Sequence, residues 1–538
     1  MTWNKWLVAG LVLAVGIAGC GEAGPAAPPS ASTEGAPQAA GQAPQGKSDA
    51  KVRPAAVAGL FYPATKASLE KEIDEYLAAA KPAGIKKLRG LVVPHAGYRY
   101  SGPTAAVGYK QLVGREIRTV IVMAPSHYAA FQGAFLSEAD AYETPLGRVS
   151  LAPMMRELAA HRPFVTRPPC RGERPSWSAQ SPREAPPRGE DLPDTWEHSL
   201  EVQVPFLQRT LADFQIVPIV FGDVDPEAVA RELAGRLDEK TLLVASSDLS
   251  HYHPDKTARD LDTTCIEAVC RVNCQWMAEQ EACGKTPILT LMHLARSKGW
   301  KARLLDYRNS GDTAGDRSAV VGYAAIAFFE PEGATEVSPA PKSGWTPAER
   351  KTLLALARQS LGDSVRSGKP PEVDPAKYDA KLTGPRACFV TLTKKGALRG
   401  CIGHIFPREP LVKAVVHNAA AAALDDPRFP PVGTQELGEI DIEISILTLP
   451  ERLAFKSPED LLAKLRPKID GVVLRVDRRQ ATYLPQVWEQ LPDKESFLGH
   501  LAQKAGLSAG DWKRPEAEVL VYQVEAFHER EEATPAGK

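Results

Sequence analysis

Short apolar runs alternate with helical patterns over much of the first half of the chain, and this alternation limits its fold more than any other feature. The runs are rich in β-branched residues and contain few polar positions, which is typical of strands buried on both faces. Helical patterns lie between or beside them, for example at 68–79, 104–112 and 226–237. The sequence therefore predicts an α/β fold, a sheet with helices on both faces, whose strands are 89–93, 119–123, 215–221, 241–245 and 320–329.

The pattern changes in the second globular stretch, residues 346–529. Here strands are grouped together with few crossovers, which predicts an α+β domain. One strand is marked by isoleucines that alternate with polar residues, as expected for a half-buried strand. The expected elements are helices at 347–367 and 411–424, a hairpin of 387–393 with 398–402, and a strand at 440–446.

Composition sets the remaining domain boundaries. Residues 331–345 are rich in Pro, Gly, Ser and Ala, so we expect them to link a first domain at 52–330 to the second domain. Residues 530–538 are expected to form a disordered tail. Inside the first domain, residues 162–194 carry many Pro, Arg and Gly residues and few core formers, which predicts a long, mobile surface loop.

The N-terminus has the pattern of a bacterial lipoprotein signal peptide, residues 1–20. Lys5 precedes an apolar run that is short for a bilayer span, and small residues lead up to Cys20. We expect cleavage before Cys20 and lipidation of that residue, which would anchor the chain to the lipid bilayer of the cell envelope. Residues 21–50 have almost no large apolar side chains and would form a disordered tether.

The charge balance excludes one class of partner. The chain has 65 Lys and Arg residues against 66 Asp and Glu residues, a formal net charge of −1, so bulk nucleic-acid binding has no electrostatic support. Eight cysteines in a chain of 538 residues are too few for a disulfide scaffold. No nucleic-acid partner is expected.

Side chains of the metal-ligand type follow three of the predicted strands in the first domain. Ligands bind beyond the carboxyl ends of the strands in open α/β sheets, so we expect these side chains to share one pocket. Imidazole with a carboxylate or thiolate suits iron, zinc or copper. The sequence therefore predicts a polar or metal-binding pocket. Four candidate residues follow predicted strands: His95, His127, Asp248 and His251. Two more, His198 and Cys283, lie next to predicted helices.

Five segments of the first domain together resemble the Memo family, also called AmmeMemoRadiSam system protein B: residues 58–63, 94–98, 124–127, 197–203 and 246–252. Members are similar in fold to the class III extradiol dioxygenases, which hold non-haem iron. The resemblance implies iron, with copper or zinc as alternatives, and a ligand set of His95, His127 and Cys283. It also implies that the same pocket is lined by the candidate catalytic residues His198, Asp248 and His251. A thiolate where the dioxygenases have a carboxylate favours other redox chemistry.

A second resemblance covers roughly residues 346–529. Residues 398–403 and 426–431, with 471–474 and 483–488, are similar to the AMMECR domain, AmmeMemoRadiSam system protein A. Family members occur beside a radical SAM protein, which implies a pathway partner of that kind.

Cys401, inside the first of these motifs, is a candidate catalytic residue. Arg399 is close enough in sequence to lower the pKa of the thiol, and His404 lies three residues further on, as in a nucleophile–base pair. The alternative is a buried cysteine in a tight sheet.

Three functions stay open at this point. The first is a membrane-tethered metalloenzyme that carries out redox or dioxygenase-like chemistry on an unknown small molecule. The second is a metal-binding or peptide-binding module without turnover. The third is thiol chemistry at Cys401.

Overall fold

The computed structural model describes residues 51–331, 344–477 and 479–529. The expected signal peptide with Cys20, the tether, the tail and most of the linker lie outside these residues. No helix within them is long and apolar enough to cross a membrane.

The described chain forms two compact units. Residues 453–521 form one unit, and residues 51–452 with 522–529 form the other.

Nine strands between residues 51 and 331 form the central sheet of the larger unit. Its middle is parallel and is almost completely buried, as expected from the apolar runs; the parallel strands, side by side, are Leu88–Val93, Thr241–Ser246, Thr119–Pro125 and Gln215–Phe221. At one side of the sheet, Val320–Phe329 pairs antiparallel with Leu88–Val93, Lys301–Asn309 and His251–His253. At the other side, Ala134–Leu136 pairs antiparallel with Gln215–Phe221 and parallel with Phe164–Val165. The predicted mixed α/β architecture with a central sheet is confirmed.

Both faces of this sheet are covered. On one face Leu91 and Val93 belong to a core cluster that includes Tyr109. Val92 points to the opposite face and is also fully buried. On strand Leu88–Val93, a Cβ atom added to Gly90 would lie 2.8 Å from a methyl group of Leu291. Glycine therefore allows a helix to approach this strand closely.

The helices and short strands around the central sheet have the following bounds. The helices are Lys66–Ala79, Tyr98–Lys110, Met154–Leu158, His198–Glu201, Gln203–Thr210, Pro226–Ala234, Asp255–Cys270, Cys274–Ala278, Lys285–Lys298 and Ser310–Ala314, with a 3-10 turn at Ser176–Gln180. The short strands outside the sheet are Val52–Arg53, Ala141–Thr144, Gly147–Ser150, Ala129–Ala130 and Arg171–Gly172.

Residues 162–194, expected as a long surface loop, are tied to the body by backbone pairing. Phe164–Val165 joins the central sheet, and Arg171–Gly172 pairs with Ala129–Ala130. The Ser181 hydroxyl donates to the Ala56 carbonyl at 2.6 Å. Backbone hydrogen bonds need no apolar side chains, which is why composition alone did not reveal these strands.

Within the larger unit, residues 344–452 and 522–529 contain an antiparallel sheet and two long helices. The strands are, in spatial order, Ala397–Gly403, Cys388–Lys394, Ile440–Leu447 and Val524–His528. The helices, Pro347–Ser367 and Leu411–Leu424, have the bounds that the sequence predicts. They are joined by the buried Ser360 hydroxyl, which donates to the Val416 carbonyl at 2.6 Å. Smaller elements are Ala380–Thr383 and Glu451–Arg452.

The smaller unit has its own core. Its strands and helices are Pro458–Lys464, Gly471–Val476, Arg479–Tyr483, Lys494–Lys504 and most of Glu518–Tyr522. The fully buried Trp488 stacks on Phe497, with ring centroids 3.6 Å apart.

A buried ion pair joins the first described residues to the motif at 197–203. Arg53 and Glu201 form this pair, and their side chains are only 4% and 1% exposed. The Glu201 carboxylate also accepts hydrogen bonds from Ala56 N at 2.8 Å, Val57 N at 2.9 Å and the Tyr62 hydroxyl at 2.7 Å. The charge of Glu201 is therefore fully compensated although water is excluded.

The Arg53 guanidinium also fixes the backbone just before this motif. It donates to the Asp194 carbonyl at 2.9 Å and to the Glu197 carbonyl at 3.0 Å. The position of Glu197, and of the residue that follows it, therefore depends on the ion pair.

We expect the substitution Glu201→Gln to lower the free energy of unfolding of the larger unit by about 3–5 kcal/mol, because it leaves the buried Arg53 without its counter-charge. Urea denaturation followed by tryptophan fluorescence measures this. Glu75→Gln is the matched control, since Glu75 pairs with Lys71 on the surface, and its midpoint should stay at the wild-type value. Equal midpoints for the two variants would contradict this role of the ion pair.

Candidate metal centre

Three imidazoles meet at the carboxyl edge of the central sheet. His95 follows strand Leu88–Val93, His127 follows Thr119–Pro125, and His198 begins the short helix after Glu197. One ring nitrogen from each lies within 4.8 Å of the others. The parallel strands bring two of these residues to the same edge, as their positions after the strands predict.

The buried His95 ring has one nitrogen engaged, and the other faces the centre. Its Nδ1 lies 2.9 Å from the Ser246 hydroxyl. That hydroxyl donates to the Ser199 carbonyl at 2.6 Å and accepts from the Gln203 amide at 2.8 Å. Since the hydroxyl proton is already used, Nδ1 of His95 donates to Ser246, and Nε2 faces the Cys283 sulfur.

Glu197 orients the second imidazole. Its carboxylate, fully buried, accepts from the Nδ1 of His127 at 2.9 Å and from the backbone N of His127 at 2.7 Å. Burial opposes the charge of Glu197, but the neighbouring His127 outweighs burial and holds the pKa of the carboxyl well below its ordinary value. Burial likewise opposes a charged His127, and Glu197 reverses this and raises the pKa of the imidazole. A carboxylate behind an imidazole is the usual support for a metal-bound histidine.

Cys283 lies next to His95, in the loop before helix Lys285–Lys298. Its Sγ lies 3.2 Å from the Nε2 of His95 and accepts a hydrogen bond from the Asp248 backbone N at 3.2 Å. Burial disfavours the thiolate, but His95 and a hydrogen bond with His127 outweigh it and lower the pKa of Cys283 to about 6. The site therefore favours negative charge on this sulfur.

His198 lies beside the other two imidazoles and is only 10% exposed. Burial, with the nearby charge of His127, lowers its pKa well below the ordinary value, so the ring is neutral. Its Nδ1 lies 3.0 Å from the Tyr128 hydroxyl, and its ring centroid lies 4.6 Å from that of Phe61. A neutral imidazole at this place can accept or donate a proton.

Asp248 and His251 occupy different positions around the centre. The buried Asp248 carboxylate accepts from the backbone N of His95 at 2.7 Å, and burial raises the pKa of this carboxyl. His251 lies on the edge strand His251–His253, where its Nδ1 lies 2.8 Å from the Leu249 carbonyl. Asp248 thus supports the His95 segment, while His251 lies at the border of the site.

Cys401 lies in the antiparallel sheet of residues 344–452. Its sulfur accepts a hydrogen bond from the Thr391 hydroxyl at 3.3 Å. Burial raises the pKa of Cys401, in spite of the hydrogen bond from Thr391 and the charge of Arg428. Burial also lowers the pKa of His404 to about 4. The neutral thiol is therefore the favoured form at neutral pH.

Arg399, which the sequence suggested as the cation near Cys401, pairs with the Glu436 carboxylate at 3.0 Å. Arg428 lies closer to the thiol segment: it donates to the Cys401 carbonyl at 3.2 Å and pairs with Asp426 at 2.6 Å. Asp426 in turn accepts from the Cys401 backbone N at 2.8 Å.

Sequence reasoning missed the residues that orient the imidazoles. Ser246 and Tyr128 gave no signal beyond their closeness to candidate residues. Glu197 had one available signal, since an acidic residue directly precedes His198 in the motif at 197–203.

Two family models match the chain. The model described as Memo-like protein matches residues 53–175 and 181–327, and the AMMECR1 model matches residues 354–527. The fold and the histidine cluster thus define a Memo-like α/β domain with a candidate metal site, followed by an AMMECR1 domain. The chain belongs to the Memo-like protein family.

Individual relatives agree with this. A MEMO1 family protein of Aquifex aeolicus is 36% identical over 292 residues, which are 52% of this chain and 100% of the relative. One of Archaeoglobus fulgidus is 36% identical over 284 residues, 51% of this chain and 97% of the relative. A protein of Methanothermobacter thermautotrophicus is 40% identical over 182 residues, 34% of this chain and 94% of the relative.

Among solved structures, an uncharacterized protein from Pyrococcus horikoshii is similar, with 34% identity and a TM-score of 0.32. The match covers 35% of this chain and 93% of that chain.

We expect Cys401 to react with iodoacetamide at pH 7.5 at least about threefold more slowly than free cysteine, because burial raises its pKa and keeps the thiolate scarce. The rate should rise with pH as the thiolate forms. Peptide mapping by mass spectrometry gives the rate, and Cys401→Ser identifies the labelled peptide. Labelling as fast as that of free cysteine would support thiol chemistry at this residue instead.

Proposed function

We propose that the Memo-like domain binds a redox-active metal ion through His95, His127 and Cys283 and uses it for redox chemistry on a small molecule. The proposal rests mainly on the 3.2 Å approach of the Cys283 sulfur to the Nε2 of His95, with His127 beside them. The outer nitrogens of both rings are held by Ser246 and Glu197. The Cys283 sulfur thus faces a nitrogen of one imidazole, and ring nitrogens of His95, His127 and His198 lie within 4.8 Å of one another.

The residues present fit a transition metal. With metal–N and metal–S bonds of about 2.0 and 2.3 Å, a nitrogen and a sulfur ligand lie about 3.0 Å apart at a right angle and about 3.5 Å apart at the tetrahedral angle. The observed distance of 3.2 Å lies between these values. A bound cation would replace the positive charge that the imidazoles now supply to the sulfur.

The donor set and the family resemblance favour iron, with copper or zinc as alternatives. A mixed imidazole and thiolate set suits each of these metals. The similarity of the Memo family to class III extradiol dioxygenases is the reason for proposing iron and an oxygen-dependent or related redox reaction. When bound, the metal supplies a Lewis acid and an electron-transfer centre.

The remaining pocket residues would act on the substrate or position the ligands. His198 is neutral and lies beside His127, so it can move a proton at its free ring nitrogen. Tyr128 fixes the orientation of His198 through its hydroxyl. Asp248 positions the His95 backbone. We propose that His251 lines the pocket next to Asp248.

We expect purified wild-type protein loaded with Fe(II) to retain about one equivalent of iron after desalting, and the double variant His95→Ala/His127→Ala to retain almost none, because two of three ligands are lost. Metal analysis by mass spectrometry measures the content. His161→Ala is the matched control, since His161 lies in the same domain on the surface, 52% exposed.

Equal iron content in the wild type and the double variant would overturn the proposed centre. Oxygen uptake distinguishes an enzyme from a metal-binding module. If the iron-loaded protein consumes oxygen and the Cys283→Ser variant does not, the protein is an enzyme. Retained iron without any uptake would support the alternative, a metal-binding module.

We also propose that the chain is a lipoprotein of the bacterial cell envelope, anchored through Cys20, with the disordered tether at 21–50 and a radical SAM protein in the same pathway. The support is the sequence pattern at 1–20.

We expect the wild type to partition into the detergent phase of Triton X-114 and Cys20→Ser to partition into the aqueous phase, because only a lipidated chain carries the apolar anchor. Equal partitioning of both would contradict lipidation.

A further inference from the structure

Residues 162–194 cover one side of the candidate metal centre with an aromatic residue. The ring of Trp177 lies 6.1 Å from that of Phe61 and 5.7 Å from that of Tyr128, and both of these rings contact His198. Trp177 belongs to the stretch 176–180, which lies between the two parts of the chain that the Memo-like model matches.

The other side of the centre opens into a cavity of about 730 Å³ that reaches Cys283. Its wall is mixed, with polar and apolar surface. Phe131, Phe221 and Pro287 line it from the body of the domain, and Pro169, Cys170 and Arg171 line it from the segment 162–194. A cavity of this size can hold a small organic molecule. Because the cavity reaches Cys283, a ligand bound in it would lie beside that sulfur.

Arg171 supplies a cation to this wall. It is exposed, and no acidic side chain pairs with it among the residues that the structure describes. Asp223, the acidic residue of the wall, is engaged by the Gln132 amide at 2.9 Å. The backbone of Arg171 pairs with that of Ala130, which also lines the cavity.

We propose that the cavity takes a small organic carboxylate with an apolar body, and that Arg171 selects it. The carboxylate would pair with the guanidinium, which binds this group through two parallel hydrogen bonds. The apolar body would lie along Phe131, Phe221 and Pro287 toward Cys283. This inference rests on the proposed metal function, since the metal would face the same cavity.

The test uses two alkylating reagents of similar size, iodoacetate and iodoacetamide, on the full chain stripped of metal with EDTA. Each forms a bond between the Cys283 sulfur and its methylene carbon and releases iodide. Only iodoacetate carries a negative charge, so the ratio of the two rates reports the local preference for an anion. Both reagents attack the same thiolate, and the ratio therefore cancels any change in the pKa of Cys283.

We expect Arg171→Gln to lower the ratio of iodoacetate to iodoacetamide rates at Cys283 by roughly threefold or more, because the cation that attracts the anion is lost. Arg171→Lys keeps the charge and should keep most of the ratio. Arg156→Gln, an exposed arginine of the same domain, is the control and should leave the ratio unchanged. Added salt should reduce the wild-type ratio toward that of Arg171→Gln.

An unchanged ratio in Arg171→Gln would overturn the role of Arg171, whatever the iron content of the protein. An equal decrease of this rate ratio in Arg171→Gln and Arg156→Gln would also overturn the role of Arg171, since the decrease would then come from the net charge of the protein. Failure of the metal proposal appears in the iron analysis instead, so the two outcomes are distinguishable.

Discussion

The candidate centre depends on the buried ion pair between Arg53 and Glu201, two residues that are 148 positions apart. The other polar atoms of the two side chains also have hydrogen-bond partners, which are backbone groups and the Tyr62 hydroxyl. The same guanidinium holds the Glu197 carbonyl. Because Glu197 orients His127 and precedes His198, an interaction that touches no ligand fixes the place of two imidazoles.

The parallel sheet supplies the second requirement, the convergence of distant segments. His95 and Ser246 follow or end neighbouring strands, so the hydroxyl of one strand sets which nitrogen of the other carries a proton. The Nε2 atom of His95 and the Cys283 sulfur then face each other at 3.2 Å. Such preorganisation lowers the free-energy cost of binding a cation, since ligands need not be oriented first.

The strand-end rule was sufficient to predict that His95 and His127 lie close together, because strand order and chain direction determine the carboxyl edge. The rule says nothing about Glu197, whose role depends on how the segment after residue 194 packs. It also did not reveal the strands within 162–194, since their pairing uses backbone atoms that every residue carries. Side-chain partners between distant segments are set by tertiary structure, and a single sequence does not contain a local signal for them.

The reactivity of a cysteine depends on its surroundings, as a comparison of Cys283 with Cys401 shows. Both are buried, and burial raises the pKa of each thiol. At Cys283 two imidazoles outweigh burial, whereas at Cys401 the cation Arg428 is already paired with Asp426 and cannot do the same. The sequence placed an arginine two positions before Cys401, but Arg399 is neutralised by Glu436. Net local charge, and not the presence of a nearby cation, therefore separates the two cysteines and directs the proposed chemistry to Cys283.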